Sequence, residues 1–393
     1  MNKPYLSAMG DIHAAIGNLL EDKGHEKEAL VRPPFPVSSQ GDKGSSIVRP
    51  GVKVHHGGQG KVYEVAAGTK LSDNIPTKAA PEIPIDRWLA ATMLGDNCED
   101  KDALKFASES KSLSGGATGV LLPEAFQPEW IDNLRSFMVL EAAGMTTATM
   151  TSRTVTASRV VSDPPVGWRA EGAPLVAGDP TFELVNLVAN SLAVRVQATA
   201  ELAQDSPDFG SQLLSIMGRA LAQEIDRVGL LGTGIGNQPT GIVNTTGVNT
   251  IPAIGTPADF SPFVSGLQRL LENNVPLDVS DRNAIMSPRT WGGLENLTAT
   301  DNQPLMRPRA LDNMVFRPTT SIPNDLGVGN DESLAIMGDF RDLVLGVRME
   351  ASVEALRLQS FADNLLLEFV GWTRVDFMVR RPASFVVLEG ITE

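Results

Sequence analysis

The chain has 393 residues, with 33 Lys+Arg against 47 Asp+Glu and a formal net charge of −14. At 42% apolar and 20% charged residues it is composed like a folded protein of two or three domains, and unlike a disordered one. No apolar run approaches the ~20 residues of a membrane helix, and the segment after Met1 lacks the apolar core of a secretory signal. Cys98 is the only cysteine, which excludes an intrachain disulfide framework and a cysteine-cluster zinc site.

The charge is unevenly placed. Every lysine lies at or before Lys111 and every histidine at or before His56. Residues 1–111 hold 14 Lys+Arg and 15 Asp+Glu; residues 112–393 hold 19 Arg, no Lys and 32 Asp+Glu, a net charge of −13. Such an acidic body does not bind nucleic acid by neutralising phosphates. The break near Lys111 separates two regions with different roles.

In chain order, Leu6, Met9, Ile12, Ile16, Leu19 and Leu20 predict a short amphipathic helix over 6–20. Residues 32–84, punctuated by Pro and Gly, read as extended linker. Asp86 can cap a short helix carrying Trp88, Leu89, Met93 and Leu94, and another helical piece runs to Lys111. This first third reads as an arm with helical beads.

Residues 128–140 look helical. Residues 149–161 and 182–199 alternate and read as two long strands flanking a Pro/Gly segment. They would form a protruding hairpin too polar to bury itself. Ser206 then reads as an N-cap with Pro207 at the first helical position, opening a helix of about 25 residues that stops at Gly232. Helices follow at about 259–272 and 289–297. Strands are expected at 283–287, 313–317, 334–338, 342–357 and 364–389. The body is therefore of the α+β class.

The glycines of Gly232-Thr-Gly234-Ile-Gly236 invite a phosphate-loop reading. That chemistry needs the loop to precede a helix, so that N-terminal amides meet the phosphate. Here the loop follows one, and the glycines read as a helix stop and a turn. Nucleophilic catalysis needs a histidine near the core, and all four lie in the arm. His55-His56 point apart in an extended chain, and the body's carboxylates are dispersed. No catalytic residue, metal site or cofactor is predicted. What remains is a protruding hairpin, a long helix, an arm and an acidic body, the profile of a protein that assembles.

An ordered series of segments resembles tailed-bacteriophage major capsid proteins of the Hong Kong 97 type over about residues 112–393. The series is Gly119-Val-Leu-Leu-Pro123, Trp168-Arg169-Ala-Glu171-Gly172, Asp179-Pro180-Thr-Phe182, Glu201 through Ser206, and Glu224-Ile-Asp226. It continues with Gly232 through Ile242, Asn283 through Arg289 with Trp291, and Arg380-Arg381-Pro382-Ala-Ser-Phe385.

The resemblance implies the phage capsid fold, with these parts: an N-terminal arm at 1–113, a connection and helix at 114–145, an extended E-loop at 146–190, a P-domain with the spine helix at 191–247, an A-domain at 248–341, and closing P-domain strands at 342–393. It implies self-assembly into pentamers and hexamers of an icosahedral shell around double-stranded DNA, held without sequence reading. A portal protein would sit at one vertex, with a scaffold, a prohead protease or a decoration protein as further partners. Assembly would occur in the host cytoplasm, and the protein would reside in the virion capsid.

The resemblance also places Arg153, Arg159, Trp168, Arg169, Glu171 and Trp88 at contacts between subunits, through the E-loop and arm. Lys111-Ser112-Leu113 resembles a protease junction, although retention of the arm is the expectation. With no lysine in the E-loop, no lysine-based isopeptide mesh is expected. An encapsulin shell is the alternative within this fold, and a small-molecule enzyme the alternative outside it.

Overall fold

In the computed structural model, the described residues are 52–57, 60–70, 87–88, 91, 100–106, 119–120, 127–162, 181–199, 201–202, 209–275, 282–299, 301–356 and 365–392. Their strands are β1 (Val52–Gly57), β2 (Gly60–Val65), β3 (Gly119–Val120), β4 (Thr146–Met150), β5 (Thr154–Ser162), β6 (Thr181–Val188), β7 (Asn190–Thr199), β8 (Asn249–Ile251), β9 (Arg282–Met286), β10 (Val315–Pro318), β11 (Ser333–Asp339), β12 (Leu343–Leu356), β13 (Leu366–Val379) and β14 (Phe385–Ile391). The helices are α1 (Gln127–Ser136), α2 (Val139–Ala142), α3 (Phe209–Leu231), α4 (Ser261–Glu272) and α5 (Pro288–Glu295). All belong to one compact unit, Val48–Glu393. The expected helix at 6–20 and the expected cap at Ser206-Pro207 lie outside the described residues.

Three sheets result: a main sheet in the order β1-β2-β4-β12-β13-β7 with β3 added to β12, a five-stranded sheet in the order β10-β9-β11-β14-β8, and a separate two-stranded ribbon of β5 and β6. Residue alternation explains how the main sheet packs. Leu343, Leu345 and Val347 of β12, with Phe369, Val375, Phe377 and Val379 of β13, point to one face and join the largest apolar cluster. Val344 and Met378 point to the other face, into a small cluster with Ala148, Met150, Leu187 and Ala189. At the edge, β7 buries Ala198 and part-buries Leu192, Val194 and Val196, while Ala193, Arg195 and Gln197 stay exposed.

Helix α3 lies against the first face. Leu213, Leu214, Met217, Leu221, Ile225 and Val228 recur on one side and are buried. Its 23 residues span about 34 Å at ~1.5 Å per residue. A Cβ at Gly229 would lie 2.6 Å from Leu140 and 2.8 Å from Phe377, so glycine lets the helix approach both neighbours closely. The five-stranded sheet is covered on both faces. Ile285, Ile336, Phe385 and Val387 face the cluster that α3 also packs into. Ala284, Met286, Met337 and Leu388 face Phe263, Leu267 and Leu270 of α4.

Four features depart from the sequence reading. Within the expected linker, β1 and β2 form a hairpin, with Val52 opposite Val65 and Gly57 opposite Gly60. The hairpin joins the main sheet through Glu64↔Ala148 and Val65↔Thr147. Second, Val65, Trp88, Ala91 and Ala103 are all buried in the main cluster, so these described residues of the expected arm supply part of the core.

Third, three of the predicted long strands are divided, while the one at 342–357 is the single strand β12. The 149–161 and 182–199 runs become β4/β5 and β6/β7, and 364–389 becomes β13 and β14. In every case the chain changes pairing partner at the break. Pro382 sits in the 3-10 turn Pro382–Ser384 that carries the chain from the main sheet to the five-stranded one. Fourth, the helix at 128–140 stops at Ser136 and restarts at Val139, because Asp226 of α3 takes the first two amides of α2.

Candidate assembly surfaces

The ribbon is the feature that the other described residues leave largely uncovered. Its strands pair in register, with Thr156 opposite Asn186, Arg159 opposite Glu183 and Thr154 opposite Val188. Cross-strand polar contacts hold it: Thr156 Oγ1 donates to Asn186 Oδ1 at 2.8 Å, and Arg159 pairs with Glu183 at 2.6 Å. Leu187, with Val155, Ala157 and Val185, packs at the base against Met150, Val344 and Met378. On the ribbon's opposite face Leu184, paired with Ser158, is 72% exposed. A two-stranded ribbon is marginal alone in water, so this element calls for a covering surface.

Two short junctions attach the ribbon to the main sheet. On the outgoing side β4 passes into β5 through residues 151–153. On the returning side the single residue Ala189 separates β6 from β7. Ala189 N–H donates to the Arg153 carbonyl at 2.9 Å. Val188 N–H donates to Asp376 Oδ2 at 2.6 Å, and Phe377 N–H donates to Asp376 Oδ1 at 2.8 Å. Burial pushes the Asp376 carboxyl above the usual range, against the pull of those two amides.

Upstream of the outgoing leg, the residue before α2, Met138, offers no side-chain cap. Asp226 supplies one from α3, accepting from Val139 N–H at 2.7 Å and Leu140 N–H at 3.2 Å. Asp226 is 2% exposed, and burial raises its carboxyl pKa from 3.8 to about 7.

The sequence-predicted contact residues divide. Arg153 is exposed at the junction, where its backbone carbonyl is engaged. Arg159 is half-buried along the ribbon in its pair with Glu183. Trp88 is 0% exposed inside the chain's own core, which corrects its assignment to a subunit contact: a fully buried ring offers a neighbour nothing. Trp168, Arg169, Glu171, Lys111 and Ser112 lie outside the described residues. The sequence reading missed Asp226 and Asp376. The signal for Asp376 was an acid inside an apolar run, Val-Asp376-Phe-Met-Val; that for Asp226 was its place on the apolar side of the helix, four residues after Ala222.

The glycine loop after α3 closes the helix. Asn244 Nδ2 donates to the carbonyls of Leu231 (3.1 Å) and Gly232 (2.9 Å), and Ile242 N–H reaches Gly229 O at 2.9 Å. Gly234 and Gly236 take the left-handed conformations the turn needs, at φ 69° and 73°. The loop thus stands at the carbonyl end of the helix, where a phosphate is repelled. Its tip exposes Ile235, 80% accessible, beside a groove of about 290 Å³ lined by Leu192, Ile225, Val228 and Phe377. Among the described residues, no three His, Cys, Asp or Glu side chains converge as metal ligands, and no helix is long and apolar enough to cross a membrane.

This combination of two sheets, one long helix and a projecting ribbon is the Hong Kong 97-type capsid fold. The capsid of an empty GTA particle superposes with a TM-score of 0.51 at 18% identity, over 73% of this chain and 98% of that one. The capsid of the native GTA particle gives 0.50 at 17% identity, over 66% and 90%. The sequence profile of the phage capsid family matches residues 118–390, and the chain belongs to that family. It is also 22% identical over 285 residues to the major capsid protein of Klebsiella oxytoca phage phiKO2, covering 67% of this chain and 66% of that protein's length.

Proposed function

We propose that this chain is the major capsid protein of a tailed phage. In this reading it self-assembles into pentamers and hexamers of an icosahedral shell around double-stranded DNA, with a portal at one vertex, and it is built in the host cytoplasm. The observation that carries the reading is the ribbon, an element whose Leu184 face no other described element covers, on a fold whose relatives form capsids. A neighbouring copy covering it through a heterologous contact closes rings, and rings close a shell. The ribbon is the E-loop of such a subunit. Its role is mechanical rather than catalytic. An acidic body suits a container for DNA, since a strongly basic wall would grip the genome.

The first third belongs to the assembled subunit. Val65, Trp88, Ala91 and Ala103 fill the core. Arg380 pairs with Glu64 at 2.6 Å, and Arg135 Nη1 donates to the Thr69 carbonyl at 3.0 Å. Removing this segment at Lys111-Ser112 would open that core. The chain in mature particles therefore keeps these residues, and mass spectrometry finding a subunit that begins at Ser112 would overturn this. Boiled, SDS-treated particles should run as monomers; a covalent ladder would contradict the expectation drawn from the missing lysines.

The reading is tested by expressing the full chain alone, followed by size exclusion and negative-stain microscopy. Closed shells or capsomer-like rings are expected. A monomer or dimer that stays intact on dilution and forms no rings would overturn it.

A further inference from the structure

The backbone ladder between β13 and β7 ends at Val375↔Asn190. One step further, Asp376 would face Ala189. Instead of a backbone rung, the Asp376 side chain reaches Val188 N–H at 2.6 Å. The chain changes partner at this point, since β6 pairs only with β5 and β7 only with β13. A backbone rung would force the returning ribbon strand to continue in the plane of the main sheet. A side-chain rung holds the same amide and lets the strand leave that plane.

We propose that Asp376 is the positioning residue that sets the direction in which the ribbon leaves the body, acting as a carboxylate substitute for the missing ladder rung. Three observations converge on it. Asp376 is 7% exposed, so water does not compete for the bond. Its second oxygen is held by Phe377 N–H at 2.8 Å, which fixes the rotamer. The neighbouring amide, Ala189 N–H, is held by the Arg153 carbonyl on the outgoing leg at 2.9 Å. The junction is thus gripped from both legs, and the Asp376 bond ties its last ribbon residue, Val188, to β13 by a polar contact. Apolar contacts at the base, through Leu187 and Ala189, hold position along the sheet but carry little angular information.

The inference rests on the shell reading only for its consequence in assembly; the bond itself is tested on the full chain in whatever form it adopts. The experiment is hydrogen exchange, resolved to peptides, on wild type, D376A and D376N, each compared in the same form. For D376A we expect exchange over residues 185–190 to rise at least about tenfold, the change of roughly 1.4 kcal/mol expected for one buried hydrogen bond to a charged group. Exchange over 333–339, in the five-stranded sheet, stays at the wild-type rate. D376N keeps one acceptor oxygen and falls between. Microscopy of the same samples should show misclosed or heterogeneous particles where wild type gives uniform ones. If D376A does not fold, D376N carries the test through the same two peptides. Unchanged exchange over 185–190 in a folded variant, or an equal rise in both regions, would overturn the proposal, and neither result bears on whether the wild-type chain forms shells.

Discussion

The five-stranded sheet and the ribbon are opposite answers to the same problem. In the five-stranded sheet all five residues of β9 and all seven of β11 are buried, because α4 covers one face and the α3 cluster the other. In the ribbon one face is buried at Leu187, while Leu184, three pairs further out on the other face, is exposed. The first region satisfies its apolar surface within the chain and its stability belongs to the subunit. The second leaves its surface open, so its stability belongs to the neighbours that cover it. Both are built from alternating apolar strands. What separates them is that α4 and the α3 cluster cover both faces of the first, while no described element covers Leu184 on the second.

The largest effects should fall on the self-covered side. Phe385, fully buried and edge-on to Phe340 at 5.4 Å, joins both sheets. F385A should cost about 3–5 kcal/mol in urea unfolding and sharply lower the yield of soluble subunit. W88A should cost a similar amount if the first third belongs to the core; a cost below about 1 kcal/mol would detach that segment from the body.

Next comes the buried cap. The Asp226 carboxyl titrates near 7 in the folded chain against 3.8 in its ordinary state, so the folded chain binds the extra proton between those values. Stability from this group is complete below about pH 4 and is lost as pH rises through 7, on the order of 4 kcal/mol in all. The stability difference between wild type and D226N should follow that slope. A difference that is flat across pH 4–7 would contradict the buried, unpaired carboxyl.

The smallest effects on subunit stability should come from the ribbon. L184S should change unfolding by no more than about 0.5 kcal/mol while reducing the yield of closed particles several-fold. R159A removes a cross-strand ion pair worth about 0.2–1 kcal/mol. If L184S instead destabilises the free subunit as a core change would, the ribbon is covered from within and the contrast between the two regions fails.

Much of this contrast could be read from residues alone. The long helix announced itself through apolar spacing and the Gly232 stop, and it ends at Leu231. The ribbon was legible as two alternating runs around a Pro/Gly segment. What stayed hidden was where strands change partners. The only local marks are the polar run Thr151-Ser152-Arg153-Thr154 and a change of apolar phase from Val185, Leu187 and Ala189 to Leu192, Val194 and Val196, and neither says which strand is the new partner. The β1–β2 hairpin was hidden differently. Val52 and Val54, then Tyr63 and Val65, alternate on either side of the Gly-rich stretch from Gly57 to Gly60, which is a hairpin signature. The surrounding Pro and Gly residues drew the eye to linker instead. Trp88 misled for a related reason: a tryptophan in a polar, punctuated segment looks like an anchor for a neighbour, yet its ring fills this chain's own core. Asp376 was visible as an acid in an apolar run and Asp226 as an acid on an apolar helix side, but only the fold shows that each meets a pair of backbone amides.

The most direct test of the central claim compares hydrogen exchange in the assembled form and in subunits dissociated from it. Peptides from residues 154–162 and 181–188 should gain at least about tenfold protection on assembly, while those from 282–286 and 333–339 are equally protected in both forms. Ribbon protection that is the same in the free subunit and the assembly would mean that neighbours do not cover it, and would contradict the account.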